Sequence, residues 1–139
     1  MTKTLATLIK LQQHEVDEQR RVVAELEGLQ ARLLEGLAML QSEMMTEKLI
    51  SETDHEAGER WPSYIQYALK REQEFKKQIS ALEDQILAAR DVLQEKFADL
   101  KKYEIAKTHY DAEQAAEAAR DERNEMDEIA GVRAEHNKS

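Results

Sequence analysis

Apolar residues over positions 61–110 recur at alternating spacings of three and four along the whole stretch. With a at Ile65, Glu72, Ile79, Ile86, Leu93, Leu100 and Lys107, the d positions are Trp61, Ala68, Phe75, Leu82, Ala89, Lys96, Tyr103 and Tyr110. All but Glu72, Lys96 and Lys107 are apolar or aromatic. A mean spacing of about 3.5 residues keeps such a stripe facing one partner helix, which is the coiled-coil condition. No glycine or proline interrupts the stretch after Pro62, and the pattern predicts a helix over about 62–130.

An earlier helix is predicted over about 4–50, with Thr2 or Thr4 as N-cap candidates. Its apolar positions are Leu5, Leu8, Ile9, Val16, Val22, Val23, Leu26, Leu29, Leu33, Leu37, Leu40 and Met44. The heptad is clear over 26–40. Before that, Gln12, Glu15 and Gln19 fall in the seam, which predicts looser packing. Gly28 and Gly36 each cost about 1 kcal/mol against alanine in a helix interior. Gly36 lies at the seam's edge: either it admits a bulky partner residue, Phe75 by register, or it is a tolerated weak point.

Residues 51–61 lack apolar periodicity and are rich in cap-forming side chains, so they read as a loop. Trp61-Pro62-Ser63 then restarts the helix, since proline suits the first helical position. A connection of about ten residues between two long amphipathic helices makes an antiparallel hairpin. Residues whose numbers sum to about 112 then face one another: Leu40 and Glu72, Leu33 and Ile79, Leu26 and Ile86. The expected architecture is all-α, one coiled-coil domain over 1–139, with the second helix overhanging the first and a frayed tail at 131–139.

The overhang changes the picture of charge. Residues 111–139 hold nine acidic and four basic side chains, a net −5 of the chain's −9. They bury only alanines until Met126, Ile129, Ala130 and Val132 form a small apolar patch. The segment is either a solvated extension or a docking helix. An acidic chain, 35% charged, is not built to bind nucleic acid or membrane surfaces non-specifically. Cysteine is absent, which excludes disulfides and thiolate metal sites. No apolar run approaches the roughly 20 residues of a membrane span, and no secretory leader is apparent at the N-terminus. A cytoplasmic protein is expected.

Catalytic chemistry finds no foothold. His14, His55, His109 and His136 do not converge in the hairpin register, and no phosphate loop, nucleophile elbow or dinucleotide fingerprint occurs. A two-helix hairpin offers no enclosed pocket in which to shift a pKa. No enzyme activity, metal or cofactor is expected. Two groups stand out for binding instead. Arg20-Arg21 and Lys101-Lys102 are basic doublets on an acidic chain, readable as a solvated face or as a partner contact. Trp61, Tyr64 and Tyr67 concentrate aromatic area at the hairpin tip, either folded over the loop or offered to a partner. Met44-Met45 adds adaptable apolar surface nearby.

The stretch LIKLQQHEVDEQRRVVAELE at 8–27, FADLKKYE at 97–104, NEMDEIA at 124–130 and the Trp61-Pro62-Ser63-Tyr64 restart together resemble the FliJ family. Members of that family are small coiled-coil components of the flagellar type III export apparatus. The resemblance covers nearly the whole chain. It implies a non-enzymatic stalk, similar to the central shaft of rotary ATPases and monomeric alone. Its implied partners are the hexameric export ATPase FliI and the export gate protein FlhA, with some members escorting substrate chaperones. By that analogy, Arg20, Arg21, Lys101, Lys102, Tyr103 and the overhang contact the ATPase. Trp61, Tyr64 and Tyr67 contact the gate. The protein would then be cytoplasmic and reach the inner membrane only through partners. Stalks of virulence-type secretion systems are similar. Two other readings are a generic scaffold or holdase, and a transcript-cleavage-type accessory whose tip carboxylates, Glu52 and Asp54, would hold Mg²⁺. The last class carries a globular C-terminal domain that this chain lacks.

Overall fold

A computed structural model describes the backbone of residues 2–138 and the side chains of 4–138. The fold is an all-α helical hairpin of α1 (Thr2–Thr53) and α2 (His55–Lys138). Among the described residues only Asp54 is not helical. The side chain of the first cap candidate, Thr2, lies outside the described residues. Thr4 is inside α1, not at its cap. The chain divides into two compact units, Val16–Glu95, and Met1–Glu15 with Lys96–Ser139.

The expected loop at 51–61 shrinks to one residue. Asp54 ends α1 with an N–H bond to the Ile50 carbonyl (2.9 Å), and its own carbonyl accepts from the Gly58 N–H (2.9 Å). Its carboxylate accepts the Glu56 N–H at 3.2 Å, which makes Asp54 the N-cap of α2. The Ser51 and Thr53 hydroxyls donate to the last carbonyls of α1, those of Lys48, Leu49 and Ile50. Cap-forming residues here close two helices back to back. Gly58 permits the tight turn, because a β-carbon there would lie 3.0 Å from the Ser51 carbonyl oxygen. Pro62, expected at the start of the second helix, is therefore inside α2.

Within Val16–Glu95 the seam is continuous. Val16, Val23, Leu40, Ala57, Ala68, Ile86 and Ala89 are buried, and Leu26, Gln30, Leu33, Leu37, Met44 and Glu47 are half-buried at three-and-four spacing. Of the apolar positions of α1, Val22 and Leu29 are exposed; Val23 and Gln30 face α2 instead because the repeat, not hydrophobicity, sets the facing positions. Cross-helix bonds fix the register. Gln41 Nε2 donates to Glu72 Oε2 (3.2 Å), Arg90 pairs with Glu27 (2.9 Å), and Gln19 Nε2 donates to the Ala89 carbonyl (2.9 Å).

Phe75 occupies the notch at Gly36: a β-carbon there would lie 2.9 Å from the Phe75 ring, whereas nothing lies within 4 Å at Gly28. Of the two readings of Gly36, the structure supports the admitted ring. The pair makes a clean test. Gly28→Ala should raise the melting temperature by a few degrees, from about 1 kcal/mol of helix propensity. Gly36→Ala should show no such gain and should lower the melting temperature, because the ring must move. Equal gains from both would mean that Phe75 does not sit on Gly36.

In the other unit, Leu5, Leu8, Ile9, Gln12 and Glu15 of α1 and Lys96, Leu100, Tyr103, Lys107 and Tyr110 of α2 are half-buried. The two charged seam residues Glu15 and Lys96 satisfy each other with a 2.6 Å bond. That bond, and then the Lys96 charge itself, hold the Glu15 carboxyl below its usual range. Lys107 turns instead to Asp111 at 3.0 Å. From Asp111 to Lys138 every residue is exposed, yet the helix continues through the expected frayed tail as far as Lys138. Alanine, glutamate and arginine favour that state, and one interior glycine, Gly131, costs only about 1 kcal/mol.

Candidate functional site

The aromatic cluster near the turn is divided by the helix period. Trp61 occupies a seam d position and is half-buried. Tyr64 lies three residues on, its ring tilted 40° to that of Trp61 with centroids 5.9 Å apart. Tyr67 points away and is 60% exposed. The two alternatives for this cluster thus apply to different members: Trp61 and Tyr64 pack, and Tyr67 is free to make contacts.

Two depressions meet at Trp61. One, about 380 Å³, is lined by Glu43, Glu47, Ala57, Arg60, Trp61 and Tyr64. The other, about 550 Å³ and more apolar, is lined by Met44, Met45, Trp61 and Ile65 with Gln41, Lys48 and Glu72 at its rim. In the first, the Tyr64 hydroxyl is buried without a geometrically sound hydrogen bond. Burial first, then the Glu43 carboxylate as hydrogen-bond acceptor and as a charge, and then the Glu47 charge raise its pKa above the ordinary phenol value. Glu43 is the one group near enough to take the phenol proton, in a contact short of good hydrogen-bond geometry. Sequence reading did not single out Glu43 or Glu47. The signal was present, since the pairing sum of about 112 sets Glu47 opposite Tyr64 and Glu43 one turn away.

The basic residues belong to separate units. Arg20 and Arg21 lie in Val16–Glu95, exposed, with Asp17 at 3.7 Å from Arg20 and Glu18 at 2.9 Å from Arg21. These local pairs contribute little to stability at the surface. Lys101 and Lys102 lie in the other unit and are exposed, whereas Tyr103 sits half-buried in the seam. Further along that unit, Met126, Ile129 and Ala130 line a shallow apolar surface with Arg133. Glu52, Asp54, His55 and Glu59 surround a polar depression at the turn, with His55 Nε2 3.2 Å from Glu59. Among the described residues no three His, Cys, Asp or Glu side chains are placed to hold a metal ion together. Among the described residues no helix is long and apolar enough to cross a membrane.

What these surfaces have in common is open contact area on the two helices. The family model described as "Flagellar FliJ protein" matches residues 1–139. Two curated relatives, each named "Flagellar FliJ protein" and from Caulobacter vibrioides strains NA1000 / CB15N and ATCC 19089 / CIP 103742 / CB 15, are 32% identical over 139 residues, covering 96% of this chain and 96% of theirs. No solved structure matches. With the helical hairpin, the seam and a match along its full length, this chain belongs to the FliJ family.

Proposed function

We propose that this protein is a non-enzymatic component of the flagellar export apparatus, acting as a stalk that engages the hexameric export ATPase and couples it to the export gate. Family membership supports the export role. The observation that carries the stalk reading is the helical segment from Asp111 to Lys138, every residue of which is exposed along a long face. In this reading Arg20, Arg21, Lys101, Lys102 and the terminal segment meet the FliI-like ATPase, with Tyr103 supporting the lysines from the seam. Tyr67, with Trp61 and Tyr64 behind it, meets the FlhA-like gate, and substrate chaperones are further partners. The protein works in the cytoplasm and reaches the inner membrane through those partners. A general holdase or scaffold role is the competing reading.

Co-purification with the export ATPase, read by hydrolysis rate and by particle mass from light scattering, separates the two. A stalk stimulates hydrolysis and yields a ring-sized assembly. An unchanged rate with a lone monomer moves the scaffold reading to the front.

A further inference from the structure

We infer that the cleft between Glu43, Glu47, Trp61 and Tyr64 is a binding site for an arginine side chain presented by a partner polypeptide. The inference rests on the reading of the hairpin tip as a contact surface and assigns the chemistry that the surface selects.

Three features of the cleft converge on one ligand class. Glu43 and Glu47 on α1 put two carboxylates on one wall, four residues and therefore one helical turn apart. Trp61 and Tyr64 on α2 form the opposite wall as a tilted aromatic pair, whose faces attract a cation and stack on a planar one. The Tyr64 hydroxyl is buried in that wall beside the Glu43 carboxylate, and a phenol that gives its proton to a carboxylate keeps lone pairs that can accept an N–H. A guanidinium matches all three at once. It is flat, permanently charged, less strongly hydrated than an ammonium, and carries five donors in a fixed fork. The cleft, about 380 Å³, admits such a side chain together with water.

The chain does not fill the site itself. Arg60 stands at the rim and is exposed, and among the described residues it forms no ion pair with either carboxylate. Its charge tempers affinity for a second cation without blocking the cleft.

Trp61 is the chain's single tryptophan, so its emission reports on the two depressions that meet at it, and Glu43 and Glu47 line only this one. The test is a fluorescence titration of the full-length protein with a short acetylated, amidated glycine–serine peptide carrying one arginine. Matched peptides carry citrulline, which is near-isosteric and neutral, or lysine. The arginine peptide should give a saturable change with half-saturation on the order of 1 mM. The citrulline and lysine peptides should bind several-fold more weakly. The double variant Glu43→Gln, Glu47→Gln should weaken arginine-peptide binding about tenfold or more. Tyr64→Phe should weaken it several-fold while leaving the melting temperature nearly unchanged, since it removes a poorly bonded buried hydroxyl and none of the ring packing.

An equal response to arginine and citrulline, or to arginine and lysine, overturns the assignment, as does a response indifferent to both carboxylates or no saturable response at all. Binding to the gate protein is measured separately on the same variants. Peptide binding retained without gate binding overturns the tip assignment alone, and gate binding retained without peptide binding overturns the arginine site alone.

Discussion

Ile86→Asp should unfold the Val16–Glu95 hairpin, whereas Leu87→Asp, one residue along, should leave it nearly intact. Ile86 is 4% exposed and Leu87 is 56% exposed, although the two side chains have almost the same volume and hydrophobicity. At Ile86 the substitution removes a buried branched side chain and places a carboxylate among apolar neighbours, with the nearest seam cation, Lys96, ten residues along and already paired with Glu15. Truncation of a buried isoleucine alone costs about 2–5 kcal/mol, and the unpaired charge adds desolvation to it. That sum is comparable with the whole stability of a small domain, about 5–15 kcal/mol. At Leu87 the carboxylate enters water, and the expected change is within about 0.5 kcal/mol. Urea denaturation followed by circular dichroism at 222 nm reads both. Similar midpoints for the two variants would show that the three-and-four assignment of α2 is misplaced.

The same pair shows why the fold was legible in the sequence. Periodicity is a geometric signal: a helix turning once per 3.6 residues can keep only certain positions against a partner, whatever their chemistry. It therefore places Glu72, Lys96 and Lys107 in the seam of α2 alongside Ile86, and all three are half-buried. In α1, apolar character alone does not separate Val22 and Leu29 from the residues that face α2. Both are exposed, and Gln30 and Glu47 hold seam positions instead. The turn was misread for a different reason. Serine, threonine, aspartate and glycine mark loops and helix caps equally well, and only the bonds of Asp54 to Ile50, Glu56 and Gly58 distinguish a one-residue cap from a long loop. The binding surfaces were half legible. Composition found the aromatic cluster, but what each ring does depends on its angle about the helix, which exposes Tyr67 and turns Tyr64 towards two glutamates of α1.

Pro62 provides the sharpest check on that turn, because the two placements of the start of α2 predict opposite signs for one substitution. If the second helix began at Pro62, the ring would sit where its missing N–H and fixed φ are welcome, and Pro62→Ala would be neutral or destabilising. In the structure α2 begins at His55 and Pro62 lies beyond its first turn. There the residue has no N–H to offer the Gly58 carbonyl, and its ring crowds that same carbonyl; an interior proline costs about 3 kcal/mol relative to alanine. Pro62 is exposed, so alanine forfeits no packing against α1. Glycine at position 58 gives the backbone room to adjust around the ring, which lowers the gain without changing its sign. Pro62→Ala is therefore expected to stabilise the protein by about 1–3 kcal/mol, read as a higher urea midpoint with an unchanged slope. Amide exchange should slow at Trp61, Ser63 and Tyr64 in the same variant, as the hydrogen-bond ladder becomes continuous across the site. A lower midpoint would put the start of the helix back at Pro62. The Asp54 cap, and the cleft that depends on α2 already being wound at Ala57 and Arg60, would then have to be given up together.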